Sequence, residues 1–135
     1  MSPSATALVG FAAWTLLLVL MIGVYRASLV LTGKRAPNQF DPGGADVGEF
    51  SRRLCRAHAN CYENLPIFAA LIAVALLTDR TGATDGLAMW FLGARIGQSI
   101  VHLASTSNVA VNLRFALYLS QWLIMAVMAV RLLTG

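Results

Sequence analysis

The chain has 135 residues, 58% hydrophobic and 12% charged, with a mean hydropathy of +0.69 and a formal charge of +4. A soluble domain of this length carries about a quarter charged residues, so the composition excludes that class and points to one membrane-embedded domain. Ten Lys and Arg stand against six acids; because they flank apolar runs, they are read as setting topology and attracting a small anion, with no nucleic acid partner expected.

The first apolar run covers residues 5–31 and holds one charge, Arg26. It lacks the basic n-region and the cleavage pattern of a leader, so it is expected to remain as a helix. A segment rich in Gly, Pro, Asn and Asp follows over 33–48 and reads as a loop. The second span covers 49–77; its first half is polar (SRRLCRAHANCYEN) and its second half apolar. The third and fourth spans cover 86–106 and 111–133. Each is long enough for the ~20 residues that cross a bilayer core. Open strands cannot satisfy their backbones in lipid, so the fold class is all-α, an integral membrane four-helix bundle.

Lys34, Arg35, Arg52, Arg53 and Arg56 flank the first loop, whereas the second loop carries Asp79, Arg80 and Asp85. The positive-inside rule then places the first and third loops in the cytoplasm and both termini outside. Cys55 and Cys61 form neither a CxxC pair nor a zinc spacing and read as buried thiols. Two His without acids at ligand spacing make no metal set. Arg53 reads as a headgroup anchor, Pro66 as a kink in helix two, and Gly93 with Gly97 as a GxxxG pair open to close helix packing.

Polar residues inside spans are expensive and by default point to function. Helix two offers Arg52, Arg56, Asn60 and Glu63; helix three Arg95, Gln98 or Ser99, and His102; helix four Arg114, Tyr118 and Gln121. Spacings of three and four place each set on one helical face. At 1.5 Å per residue, Glu63 and Arg95 lie roughly 18 and 15 Å from the same predicted side, which predicts an ion pair between them. The three stripes together predict a basic pocket opening toward the cytoplasm. Such a pocket suits a small anion, because guanidinium forks bind carboxylates bidentately; a lone Glu in it would take an ammonium, and an Arg would stabilise a thiolate. These are ligand features of a γ-glutamyl tripeptide thiol, although the pattern does not single it out.

Residues 56–66, RAHANCYENLP, resemble the R-A-x-x-N-x-x-E-x-x-P signature of the MAPEG family, the membrane-associated proteins in eicosanoid and glutathione metabolism. The likeness covers the whole chain: similar length, four spans, Lys34-Arg35 at the end of helix one, Ala94-Arg95 in helix three, and Arg114 with Tyr118 in helix four. The resemblance implies a homotrimer that binds glutathione as co-substrate between neighbouring subunits. Arg56, Asn60, Glu63, Arg95, Arg114 and Tyr118 fall on ligand-binding positions, with His102 where some members carry a tyrosine. Arg35 or Lys34 would come from a neighbouring copy. Arg114 falls on the position favoured for stabilising the thiolate, which makes it the catalytic candidate.

The resemblance further implies attack on an apolar electrophile or lipid hydroperoxide that arrives through membrane lipid. Ala59, His102 and Phe115 depart from members that carry an arginine, a tyrosine and a serine there. The missing donors argue against a dedicated prostaglandin or leukotriene synthase. They leave a glutathione transferase, with peroxidase activity open, and a non-catalytic lipid- or partner-binding protein as the alternative. A small multidrug-type transporter would carry an acid in its first span, and residues 5–31 have none.

Overall fold

The computed structural model describes residues 1–135 as four long helices without a strand: α1 (Pro3–Leu31), α2 (Glu49–Leu77), α3 (Asp85–Ala104) and α4 (Asn108–Thr134). A short 3₁₀ turn, Thr81–Ala83, leads into α3. The all-α bundle expected from hydropathy is therefore the observed fold. Three helices, α1, α2 and α4, are long and apolar enough to cross a membrane. In α3, Arg95, Gln98, Ser99 and His102 are buried between the other helices. Its 20 residues extend about 30 Å, the thickness of a hydrocarbon core.

Local chemistry sets the helix ends. Ser2 caps α1 by accepting from the Ala5 N–H at 3.1 Å, and Pro3 occupies the first turn, where its missing N–H costs nothing. At the other end Gly33 turns left-handed (φ +73°), and the Lys34 N–H closes onto the Leu29 carbonyl at 2.9 Å. That closure stops the helix and frees the loop. Asp79 (φ 56°) does the same for α2, with the Arg80 N–H on the Ala75 carbonyl at 2.8 Å. The α3–α4 connection is shorter than expected from hydropathy. Ser105 turns extended after Ala104, and Ser107 caps α4 at Ala110, so α4 starts at Asn108 rather than at residue 111.

The chain runs up and down, which puts both termini and residues 78–84 at one end and residues 32–48 and 105–107 at the other. Toward the terminal end the core is apolar. Phe68 and Phe91 stack with ring centres 4.1 Å apart, and Phe11 meets them at 5.9 and 5.6 Å. Arg95 lies over the Phe11 ring at 5.6 Å and marks where the core turns polar. Helix α2 continues through Pro66. Gly93 and Gly97 are not at a close helix crossing in this chain: a Cβ on Gly93 would meet nothing within 4 Å, and one on Gly97 only Leu117 at 3.9 Å.

Candidate functional site

Where α2 begins, α3 ends and α4 begins, the bundle opens into a cleft of about 290 Å³. It is lined by Glu49, Arg52, Arg53 and Arg56 from α2, His102 and Thr106 at the end of α3, and Arg114 from α4, with no hydrophobic side chain. Spacings of three and four along α2 bring its four contributors onto one stripe. The short turn at residues 105–107 folds Arg114 back beside them.

Beneath the cleft a hydrogen-bonded chain fixes its floor. The Arg95 guanidinium donates to the Asn60 carbonyl at 3.1 Å, and the Asn60 side-chain amide lies 3.3 Å from His102 Nδ1. With the amide as donor, Nδ1 accepts and the ring proton resides on Nε2. Arg53 Nε donates to the Leu103 carbonyl at 3.0 Å, tying α2 to the last turn of α3. Deeper still, Ser99 donates to the Arg95 carbonyl, Cys61 lies 3.6 Å from Ser99 Oγ, and Gln121 donates to Gln98 at 2.9 Å. Both cysteines are free and buried.

The cleft is strongly cationic. The chain's one ion pair within 4 Å joins Arg35 to Asp46 in the loop, at 2.5 Å. None of the four cleft arginines is therefore neutralised, although Glu49 lines the same space. The Nε–H of Arg114 is buried without an acceptor. Guanidiniums gathered without counter-charges attract an anion and present it with bidentate forks.

Of the residues expected at the site, the structure brings Arg56, His102 and Arg114 together, with Asn60 directly beneath them. Others take different places. Arg95 is 1% exposed and supports the floor without lining the cleft. The expected Glu63–Arg95 ion pair is absent: Glu63 is exposed on the outside of α2, while Arg95 turns inward to Asn60 and Phe11. Depth along a helix follows from residue count, but azimuth does not, and no Glu63 oxygen comes within 4 Å of the Arg95 guanidinium.

Tyr118 lies one turn beyond Arg114 and is 44% exposed, outside the cleft lining. Arg35 is engaged within its own loop, with Asp46 and the carbonyls of Gln39 and Asp46. Desolvation pushes the Asp46 carboxyl up, but the Asp41 N–H and the Arg35 charge outweigh it and hold the group below its ordinary value. Arg53, expected as a headgroup anchor, is a cleft wall bonded to α3. Glu49 and Thr106 were not anticipated. Glu49 extends the stripe of Arg53 and Arg56 one turn toward the loop, a spacing visible in the sequence.

A model of the MAPEG family matches residues 4–134 of the chain. No curated protein and no solved structure matches it.

Proposed function

This chain belongs to the MAPEG family, and we propose that it is a membrane-bound glutathione transferase that joins the glutathione thiolate to apolar electrophiles from the bilayer. The observation that supports this reading most is the cleft itself: Arg52, Arg53, Arg56 and Arg114 without carboxylate partners, over a floor of Asn60 and His102. Two arginines on α2 hold the carboxylates, Glu49 takes the ammonium, and Arg114 lowers the energy of the thiolate. Arg95 acts as a positioning residue, because it fixes the Asn60 carbonyl and through that residue the His102 ring.

In the reaction the thiolate sulfur supplies the electron pair of a new C–S bond, and the leaving group departs with its own pair. With a hydroperoxide the sulfur attacks oxygen and the O–O bond breaks. A second glutathione then releases the disulfide, and the peroxide oxygens leave as alcohol and water. Assembly as a homotrimer would bring Arg35 or Lys34 of a neighbouring copy to the site; Glu63 and Tyr118 lie outside the cleft of their own chain. The positive-inside rule places the cleft on the cytoplasmic side.

The test is ultraviolet absorbance of the thiolate on purified protein titrated with glutathione at neutral pH. A saturable thiolate band lost in Arg114→Ala supports the proposal; no glutathione binding overturns it. A second reading, a non-catalytic lipid- or partner-binding protein, is favoured by one observation. Phe115, next to Arg114, is 64% exposed and offers no hydroxyl to a ligand. Glutathione binding without a thiolate band would select that reading.

A further inference from the structure

The floor of the arginine cleft contains a side-chain pair that can change its proton without losing a bond. His102 is 4% exposed at the end of α3, and its Nδ1 lies 3.3 Å from the Asn60 amide nitrogen. That contact is the ring's hydrogen bond within the chain, which leaves Nε2 for the cleft that the ring lines. Asn60 is held by its backbone. Its carbonyl accepts from Arg95 Nη1 at 3.1 Å and from the Asn64 amide at 3.0 Å. Its side-chain amide has His102 as its one partner.

Turning that amide over therefore exchanges donor for acceptor at Nδ1 and breaks no other hydrogen bond. With the amide nitrogen toward the ring, Nδ1 accepts and Nε2 carries the proton. With the amide oxygen toward the ring, Nδ1 donates and Nε2 offers a lone pair to the cleft. An imidazolium keeps the second arrangement, with Nε2–H toward the cleft. The charges around the ring are Glu49, Arg52, Arg53 and Arg56 from α2 and Arg114 from α4; Arg95 of its own helix lies behind Asn60, and α1 adds none to the cleft. No carboxylate comes within 4 Å of the cleft arginines. This surplus of positive charge opposes an imidazolium in the empty cleft. A ligand with two carboxylates and one ammonium offsets part of the surplus, and a thiolate offsets more.

We propose that His102 accepts the proton of the bound thiol and holds it through the reaction. The inference rests on the reading of the cleft as a glutathione site. A free thiol has a pKa of about 8.5, so the ligand arrives protonated at neutral pH. The S–H bond breaks, its electron pair stays on sulfur beside Arg114, and the proton passes to the Nε2 lone pair. When the C–S bond forms, the leaving group departs with its own pair and takes the proton from Nε2. With a hydroperoxide, the alkoxide freed by O–O cleavage takes it and leaves as alcohol. The ring is then neutral again.

The test reads two quantities together on the purified full-length protein in detergent and dilute buffer at neutral pH. One is the ultraviolet thiolate band, and the other is proton release reported by an indicator dye as glutathione is added. The wild type is expected to form thiolate with little net release. His102→Gln, which can still pair with Asn60, and His102→Tyr are expected to release one proton per thiolate. Nitrogen NMR of histidine-labelled protein, in which His58 and His102 are the two histidines, should show one ring becoming imidazolium as glutathione binds. One proton released per thiolate in the wild type overturns this inference and leaves the glutathione reading intact. No release with both rings still neutral places the proton elsewhere, at Glu49, and overturns it as well. Absence of glutathione binding overturns both readings. If the variants fail to fold, the proton count and the nitrogen spectrum of the wild type still decide.

Discussion

At the end of the bundle where the termini meet, polar groups are spent on holding helix ends together. The Asp85 carboxylate accepts from the Ser4 N–H at 3.0 Å and the Ser4 hydroxyl at 2.6 Å, and Ser4 and Thr84 are fully buried with their hydroxyls 2.6 Å apart. Arg80 donates to the Leu132 and Arg131 carbonyls at 2.6 and 2.8 Å, at the negative end of α4. At the opposite end the chain places Arg52, Arg53, Arg56 and Arg114 around one cleft and gives them no carboxylate within 4 Å. The same residue types thus do opposite work. Arg80, with both terminal nitrogens bonded to helix carbonyls, stabilises the fold and has little left for a ligand; Arg53 gives only its Nε to a carbonyl, and the open-end guanidiniums, without a counter-ion, cost stability and are available to an anion.

The largest effect that would break this contrast is at the open end. Arg114→Ala should lower the rate of conjugation about 10²–10³-fold, the range seen when one donor to a developing anion is removed. Its thermal stability should hold or rise, since a charge without a counter-ion disappears. Turnover with saturating glutathione and a melting curve in detergent test both parts. A large loss of stability would show that Arg114 is structural and erase the distinction between the ends.

The mirror experiment is Asp85→Ala. Two hydrogen bonds to a carboxylate are lost and the buried Ser4 hydroxyl keeps only Thr84, which should cost about 1.5–3 kcal/mol. Denaturation of the detergent-solubilised protein reads that loss, and glutathione affinity should not change. A fall in affinity as large as the fall in stability would mean that the two ends are coupled through the helices.

Much of the scaffold was legible in the sequence because hydropathy and helix caps act locally. Span limits at 31, 49 and 77 coincide with Leu31, Glu49 and Leu77. The fourth span began three residues early because Ser107 caps at a position where hydropathy is still low. The site was legible in part. Spacing put Arg56, Asn60, His102 and Arg114 on meeting faces, and they meet. Spacing did not reveal which way Arg95 turns. Its choice of Asn60 and Phe11 over Glu63 depends on how α1 packs against α3, a contact between residues far apart in the chain. The partner of Arg53 was hidden for a related reason: it is the Leu103 carbonyl, and a backbone acceptor leaves no mark in the sequence.

The first loop sharpens the comparison from within the open end, because part of that end is tied down. Gly44 is left-handed (φ +72°), and a Cβ there would lie 2.7 Å from Ser51 Oγ and 2.8 Å from both Cys55 Sγ and the Ser51 carbonyl. The backbone conformation alone costs a non-glycine residue about 1–2 kcal/mol. Gly44→Ala should therefore lift the loop from α2, and roughly 5–30-fold faster alkylation of the buried Cys55 thiol would report it. An unchanged rate would show that the loop does not cover Cys55 in solution.

The smallest effect concerns the exposed Arg35–Asp46 pair in the same loop. Desolvation raises the Asp46 pKa, but the Asp41 N–H and Arg35 prevail, so the folded value lies below the ordinary 3.8. A carboxylate with a depressed folded pKa contributes stability that is complete above its unfolded pKa and is lost as pH falls through the folded one. The loop tether should therefore persist at neutral pH and weaken only in acid below 3.8. A carboxyl carbon NMR titration of Asp46 checks this directly: its midpoint should lie below 3.8 and move upward in Arg35→Gln. Added salt should move the wild-type midpoint in the same direction, because an exposed pair is screened. If the midpoint ignores both the substitution and the salt, Arg35 is not held by Asp46, and it joins the uncommitted arginines of the open end.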